Sequence, residues 1–394
     1  MRILLLGEYS NVHHTLAEGL KTLGHEVLLV SNGDFWKNYP RDIDVSRRPG
    51  RLGGLMLASK LLRLLPRMRG FDVVQLINPM FVELKAERIF PLYRFLRRHN
   101  RHMVLGSYGM DYYWVKVHTD EKPLRYSDFN VGSKVRHDEV AERDRRDWLN
   151  TEKGRLNQLI AHDCDAIVTG LYEYQVTYQP LFPQKTRFIP FPIAPATVTT
   201  ATPPGSDIST GGSQQTPASA ATEREARPIR VFAGISKGRS VYKGTDIMLK
   251  AALDVAAKYP ERMEVQVAEG IPFDQYQHMM DGSDVILDQL YSYTPAMNAL
   301  LAMQKGIVVV GGGEPENYEI LNERELRPII NVQPCYESVY HELEQLALSP
   351  QRLARLKDES RQYVSRHHDY IKVAQQYQSL YEELTTGHHA ATVL

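Results

Sequence analysis

The sequence predicts an α/β protein of two domains, each a parallel, doubly wound sheet of Rossmann-like type. Three observations predict it. The chain opens with the apolar run Ile3–Leu6, the helix-forming stretch Thr15–Leu23 and a second apolar run, Val27–Val30; strand, helix, strand is the order of a parallel sheet. The same order returns at 285–310. Between the two, residues 196–222 are dominated by Thr, Ser, Ala, Pro, Gly and Gln and carry one charge, Asp207, a composition that buries no core and reads as a disordered linker. A length of 394 residues is also more than one core usually serves.

Taken in order, the first domain spans 1–195. Its further strand candidates are Asp72–Ile77 and His102–Leu105, joined by a helix over Glu83–Arg98. A helix over Trp148–His162 leads to a strand at Ala166–Thr169, and Arg187–Pro190 resembles the last strand of such a domain. Residues 112–150 are polar, charged and aromatic, an elaboration at the cleft mouth. The linker occupies 196–227. The second domain, 228–366, restarts with the strand Ile229–Ala233, the helix Ile247–Lys258, the strand Val265–Ala268 and a short helix at Phe273–Met280. Pro350–Val364 and Asp369–Leu384 are long amphipathic stretches. Residues 367–394 hold the closing helix and a loose tail with His388 and His389.

The whole chain has 47 basic and 47 acidic residues, yet residues 1–110 hold 17 Lys and Arg against 9 Asp and Glu. A basic first portion suits anionic partners: lipid head groups, phosphates or nucleic acid. No aromatic–basic recognition motif accompanies it, which disfavours nucleic acid. Residues 46–69 carry seven positive side chains and no acid, with Leu55, Leu61, Leu62 and Leu65 among them. That pattern fits either an interfacial helix at an anionic membrane or a packed surface helix with snorkelling cations. The apolar start is too short for a signal segment, and no run of about 18 apolar residues exists to span a bilayer. Cys164 and Cys335 make neither a disulfide framework nor a zinc spacing, which fits a reducing cytosol.

The stretch 284–321 carries the chemistry. Val285–Leu290 reads as a buried strand, Thr294 as a helix N-cap with Pro295 at the first helical position, and Ala296–Lys305 as the helix stopped by Gly306. Ile307–Val310 is the next strand. A helix start at the carboxyl end of a strand offers unpaired N–H groups and a dipole to an anion such as a phosphate. Upstream, Gly234–Gly244 is a glycine- and cation-rich loop ahead of the helix Ile247–Lys258. At the amino end, the loop Glu8–His14 follows the first strand, where open α/β sheets bind ligands. It lacks G-x-G-x-x-G spacing, which argues against a nicotinamide cofactor.

These residues resemble the donor-binding segment of family-4 retaining glycosyltransferases, which have the GT-B fold. Leu300, Ala302, Met303, Gly306, Val309 and Val310 keep the family's register, followed by Gly311, Gly312 and Glu319. Both family glutamates are missing, with Tyr293 and Leu301 in their places. Lys243 matches the family's diphosphate lysine, while Ile235 stands where an arginine is usual, so Lys237 or Arg239 substitutes. The resemblance implies two Rossmann-like domains facing a cleft, with the last helix crossing back to the first domain. It implies glycosyl transfer from a nucleotide-diphosphate sugar to a glycan or lipid-linked acceptor, with retention, for a cell-surface polysaccharide or lipopolysaccharide. The alternatives are a non-catalytic GT-B protein that binds nucleotide sugar or a partner, and a nucleotide-sugar epimerase.

The donor side then comprises Gly234, Lys237, Arg239, Lys243, Thr294, Ala296, Met297, Asn298 and Glu319. On the acceptor side Asp111 is a catalytic candidate that orients the acceptor hydroxyl or accepts its proton, or else an Asp that only turns its loop, and His13 is a second catalytic candidate; Glu8 and Asn11 are acceptor contacts. No metal and no cofactor is expected beyond the donor itself. The expected place is the cytoplasm, at the inner face of the cytoplasmic membrane.

Overall fold

The computed structural model describes residues 1–195, 227–235, 238–271 and 273–387. Nearly all of the linker stretch, together with Lys237, His388 and His389, therefore lies outside the described residues. Arg227 is already part of the second domain, because its guanidinium holds both carboxylate oxygens of Asp284 at 2.7 and 3.0 Å.

The first sheet is built from β1 (Arg2–Leu6), β2 (Glu26–Ser31), β3 (Ile43–Asp44), β4 (Val73–Leu76) and β5 (His102–Ser107). A separate hairpin, β6 (Asn130–Val131) and β7 (Lys134–Val135), precedes its last strands, β8 (Ala166–Thr169) and β9 (Thr186–Phe188). The order is β3-β2-β1-β4-β5-β8-β9, all parallel. The second sheet contains β10 (Ile229–Ile235), β11 (Met263–Glu269), β12 (Val285–Leu287), β13 (Val308–Gly311) and β14 (Ile330–Asn331), in the parallel order β11-β10-β12-β13-β14. Helices cover both faces, which is why central strands such as β1 and β13 read as continuous apolar runs rather than alternating ones. Strand order reverses at β1/β4 in the first sheet and at β10/β12 in the second. Crevices at the carboxyl ends of such switch points are where open α/β sheets take ligands.

The closing helix, Tyr370–Thr386, returns to the first domain and packs on the helix Val12–Thr22. Gly19 permits that approach: a Cβ there would lie 2.7 Å from both Ala374 Cβ and the Tyr370 carbonyl oxygen. Tyr381 donates to Gln75 Oε1 at 2.6 Å, and the hydroxyls of Tyr377 and Tyr108 bond each other.

Of the boundaries that differ from those read in the sequence, three bear on the cleft and its surroundings. Trp148–His162 is not one helix; Glu139–Trp148 and Glu152–Asp163 are separated by Asn150 at φ 58° and capped afresh by Thr151. β12 stops at Leu287, leaving Asp288 and Gln289 in the following loop. The helix after it begins at Met297 with Ala296 as its N-cap, because Thr294 is drawn into a contact with the first domain.

The 112–150 elaboration bridges the two domains. Arg125 reaches Glu314 Oε2 at 2.7 Å and Glu316 Oε1 at 2.5 Å, and Tyr126 donates to Glu314. Arg136 donates to the carbonyls of Val241 and Tyr242 at 2.9 and 3.0 Å and lies over the Tyr291 ring.

Candidate active site

The two sheets face each other across a cleft of about 1440 Å³. Its second-domain wall is set by β10, β12 and the helix Met297–Gln304. Lys243 ends a short helical turn, Ser240–Lys243, and Gly244 follows in the left-handed region at φ 71°. A Cβ on Gly244 would come within 2.6 Å of Leu290 Cβ, so the turn is pressed against the 290–291 loop, and Leu290 N donates to the Lys243 carbonyl at 3.0 Å. This places Lys243 in the cleft beside the loop that leads to the helix Met297–Gln304. Burial and the neighbouring Arg239 lower its ammonium pKa, and Asp288 pulls the other way. A desolvated cation of this kind gains strongly from an anion.

The helix Met297–Gln304 has no side-chain cap at Ala296. Ala296, Met297 and Asn298 all line the cleft, so the first N–H groups and the positive end of the helix dipole are presented there. Asn298 donates to the Tyr276 hydroxyl at 3.1 Å, and that ring lies so close over Gly234 that a Cβ would meet its oxygen at 2.5 Å. Among the donor-side residues predicted, the structure thus brings Gly234, Lys243, Ala296, Met297 and Asn298 to one wall.

Thr294 lines no part of that wall; its hydroxyl donates to Glu173 Oε2 at 2.5 Å. Glu173, from the helix Tyr172–Tyr178 of the first domain, also accepts from the N–H groups of Tyr293 and Thr294 at 2.7 and 3.1 Å, and Ser292 Oγ is 3.0 Å away. Thr294 is therefore a domain contact rather than a phosphate ligand. Arg239 is exposed, stacked 5.2 Å over the Tyr242 ring, and Glu319 is exposed on Pro315–Ile320; neither lines the cleft. The buried acid of that segment is Glu314, engaged by Arg125, Tyr126 and Gln333.

On the first-domain wall Asn11 lines the cleft, at φ 71°, with Ser10, His14, Trp36 and Lys37 around it. The other three acceptor-side predictions are buried structural groups. Glu8 accepts from His13 N and His14 N at 3.1 and 2.8 Å, capping the helix Val12–Thr22, and burial pushes its carboxyl up to about 8. His13 is buried between the Gly7 carbonyl, 2.9 Å from Nδ1, and Gln75; burial lowers its pKa to about 3, so the ring is neutral. Asp111 accepts from Trp114 N at 2.8 Å as a helix cap and from the Tyr178 hydroxyl at 2.8 Å. All three read as candidate chemistry because polar residues after a strand look alike in sequence; each is instead a buried polar group answering orphan backbone donors or acceptors.

The sequence reading missed Asp288, Glu173, His14 and Lys37. Asp288 had a signal: it follows β12 at the switch point, where a strand run read through to Leu290 concealed it. Among the described residues no group of three His, Cys, Asp or Glu side chains is arranged to hold a metal ion.

Two facing doubly wound domains, a cleft between them and a last helix crossing back define the GT-B fold. Solved structures of that class agree with it. The chain aligns with Anabaena HepE, crystallised with UDP and glucose, at 12% identity and a TM-score of 0.57, covering 97% of this chain and 100% of that one. It aligns with the Thermosynechococcus elongatus sucrose-phosphate synthase at 13% identity and 0.58, covering 98% and 100%. For WaaG, a glycosyltransferase involved in lipopolysaccharide biosynthesis, the values are 13%, 0.52, 97% and 99%. At such identities the likeness establishes the fold. No family model matches the chain, and no curated protein matches it in sequence.

Proposed function

We propose that the protein transfers a glycosyl group from a nucleotide-diphosphate sugar to a glycan or lipid-linked acceptor, with retention of anomeric configuration. The observation that carries this reading is the convergence of Lys243 with the uncapped start of the helix Met297–Gln304 in one interdomain cleft. Together they form a site for a diphosphate. HepE structures hold UDP, or UDP-glucose, in the same fold, which supports a nucleotide sugar as the donor.

In the proposed reaction the bond from the sugar C1 to the diphosphate oxygen breaks, and its electron pair leaves with the diphosphate. Lys243 and the N–H groups of Ala296 and Met297 stabilise the charge that grows there. The acceptor hydroxyl forms the new C1–O bond on the same face and gives its proton to the departing phosphate. The buried placement of His13 and Asp111 supports this assignment, since neither offers a base to the cleft. Asn11 is the acceptor-side contact. No metal enters the scheme.

A thermal-shift screen of UDP-, ADP- and GDP-sugars tests the donor. The expected result is a stabilisation by at least one nucleotide sugar and by its nucleoside diphosphate, in proportion to RT ln(1 + [L]/Kd). No shift with any of them contradicts the reading. An epimerase is the second reading. Leu301, an apolar residue, lines the cleft where a family glutamate is usual, and a Listeria monocytogenes protein described as a putative UDP-N-acetylglucosamine 2-epimerase shares the fold at 8% identity and a TM-score of 0.51. Product analysis separates the two: a new glycoside or an epimerised nucleotide sugar.

The proposed acceptor lies at an anionic membrane on the cytoplasmic side, within polysaccharide or lipopolysaccharide assembly. No helix among the described residues is long and apolar enough to cross a membrane. The helix Gly53–Leu64 buries Leu57 and Leu61 but leaves Leu55, Met56 and Leu62 exposed, with Leu52 just ahead. Arg63, Arg67 and Arg69 continue the exposed cationic run. Apolar surface beside exposed cations suits peripheral binding, each cation contributing about 1 kcal/mol near an anionic surface. The protein is expected to sediment with phosphatidylglycerol vesicles, less with phosphatidylcholine, and to be released by Leu55→Asp/Leu62→Asp. Equal binding by that variant contradicts the membrane role.

A further inference from the structure

We infer that Asp288 is the specificity-determining residue that reads the hydroxyl groups of the transferred sugar. The inference deepens the nucleotide-sugar reading of the cleft and rests on it. Asp288 stands just past β12, at the β10/β12 switch point, and lines the cleft. It is 7% exposed, and its Oδ2 has no hydrogen-bond partner among the described residues. Its backbone is fixed, because Asp288 N donates to the Val310 carbonyl at 3.0 Å. Gly311 lies against it, where a Cβ would come within 3.3 Å of Asp288 Cβ.

A buried carboxylate without a partner costs stability. Burial accordingly pushes its pKa up to about 6, against the pull of Lys243. Such a group is complete only when a donor arrives from the cleft. A phosphate is excluded as that donor by its charge and belongs with Lys243. Hydroxyl groups are neutral donors, and a glycosyl group carries several of them on adjacent carbons.

The position separates the sugar from the ribose. Lys243 is within electrostatic reach of Lys37 and Asp128, both from the first domain. This end of the diphosphate site therefore faces the acceptor wall, where the reacting carbon must lie. A donor bound with its reacting carbon at that wall would extend its nucleoside the other way. Neither Tyr293 nor Leu301 competes with Asp288 for those hydroxyl groups. Leu301 has no acceptor atom, and the Tyr293 hydroxyl already accepts from Arg125 N at 2.8 Å.

Calorimetry with UDP-glucose, ADP-glucose and GDP-mannose, each beside its own nucleoside diphosphate, tests this on the full chain and on Asp288→Asn and Asp288→Ala. Both variants are expected to bind the nucleoside diphosphate at least as well as the parent, since a negative charge beside it is gone. The preference for the sugar-bearing form over the bare diphosphate is expected to fall about tenfold or more, the value of one hydrogen bond to a charged group. The melting temperature of the unliganded Asn variant is expected not to fall, as an unpaired buried charge has been removed. An unchanged preference in either folded variant overturns the inference. So does equal weakening of both ligands, which assigns Asp288 to the ribose, or a melting temperature lowered in both variants, which makes it structural. If the parent protein binds none of the six compounds, the nucleotide-sugar reading fails first and this inference with it.

Discussion

Lys243→Ala is expected to weaken nucleoside-diphosphate binding about tenfold, a loss of about 1.4 kcal/mol, and to slow glycosyl transfer by about 10²–10³. The two effects differ because charge on the diphosphate grows as the sugar leaves. A fixed cation therefore gains more in the transition state than in the ground state. Lys243 is suited to this by its setting rather than by its type. Gly244 folds the turn back onto Leu290, and burial strips water from the ammonium. Calorimetry gives the first number and turnover at saturating donor gives the second. Unchanged affinity in a folded Lys243→Ala protein contradicts the role outright. Arg239→Ala is the contrasting variant: its side chain is exposed and stacked on Tyr242 outside the cleft, so a much smaller effect is expected.

Glu173→Ala is expected to cost about 3 kcal/mol of stability and to loosen the two domains. The Glu173 carboxylate is buried and takes N–H bonds from Tyr293 and Thr294 and the Thr294 hydroxyl bond. Each buried donor left unsatisfied costs about 1–3 kcal/mol, and water entering the gap recovers part of that. The contact also fixes the loop that leads into Ala296 and Met297. Nucleotide affinity is therefore expected to fall with stability, although Glu173 is no ligand of the diphosphate. Denaturant unfolding reads the result as a lowered midpoint and a broadened or two-step transition, because the clasp is one of the contacts that join the two domains. A single transition at the parent midpoint contradicts the clasp.

How much of this was legible in the sequence depended on the range of the interaction. Ile3–Leu6, Val27–Val30 and Ile307–Val310 announced their strands because a strand covered on both faces must be apolar throughout. The stop at Gly306, held at φ 76°, announced itself by residue type. The cleft position of Lys243 and of the helix after Ala296 was legible because each pairs a local residue pattern with a local geometry. Thr294 was misread for the opposite reason. Its cap-like identity is a local signal, but its hydrogen bond goes to Glu173, 121 residues away. Arg125 and Glu314, 189 residues apart, left no local trace at all. Glu8, His13 and Asp111 stand after strands in the pattern that active sites share, and only burial tells a helix cap from a base. Asp288 lay inside an apolar run, and its meaning came from the strand order around it.

In the proposed complex Lys243 and the start of the helix Met297–Gln304 hold one pyrophosphate between them. A crystal structure with a nucleoside diphosphate that binds in the screen tests it most directly. Phosphate oxygens are expected within hydrogen-bond distance of Lys243 Nζ and of the N–H groups of Ala296 and Met297. A diphosphate bound elsewhere, with both groups left facing solvent, contradicts it.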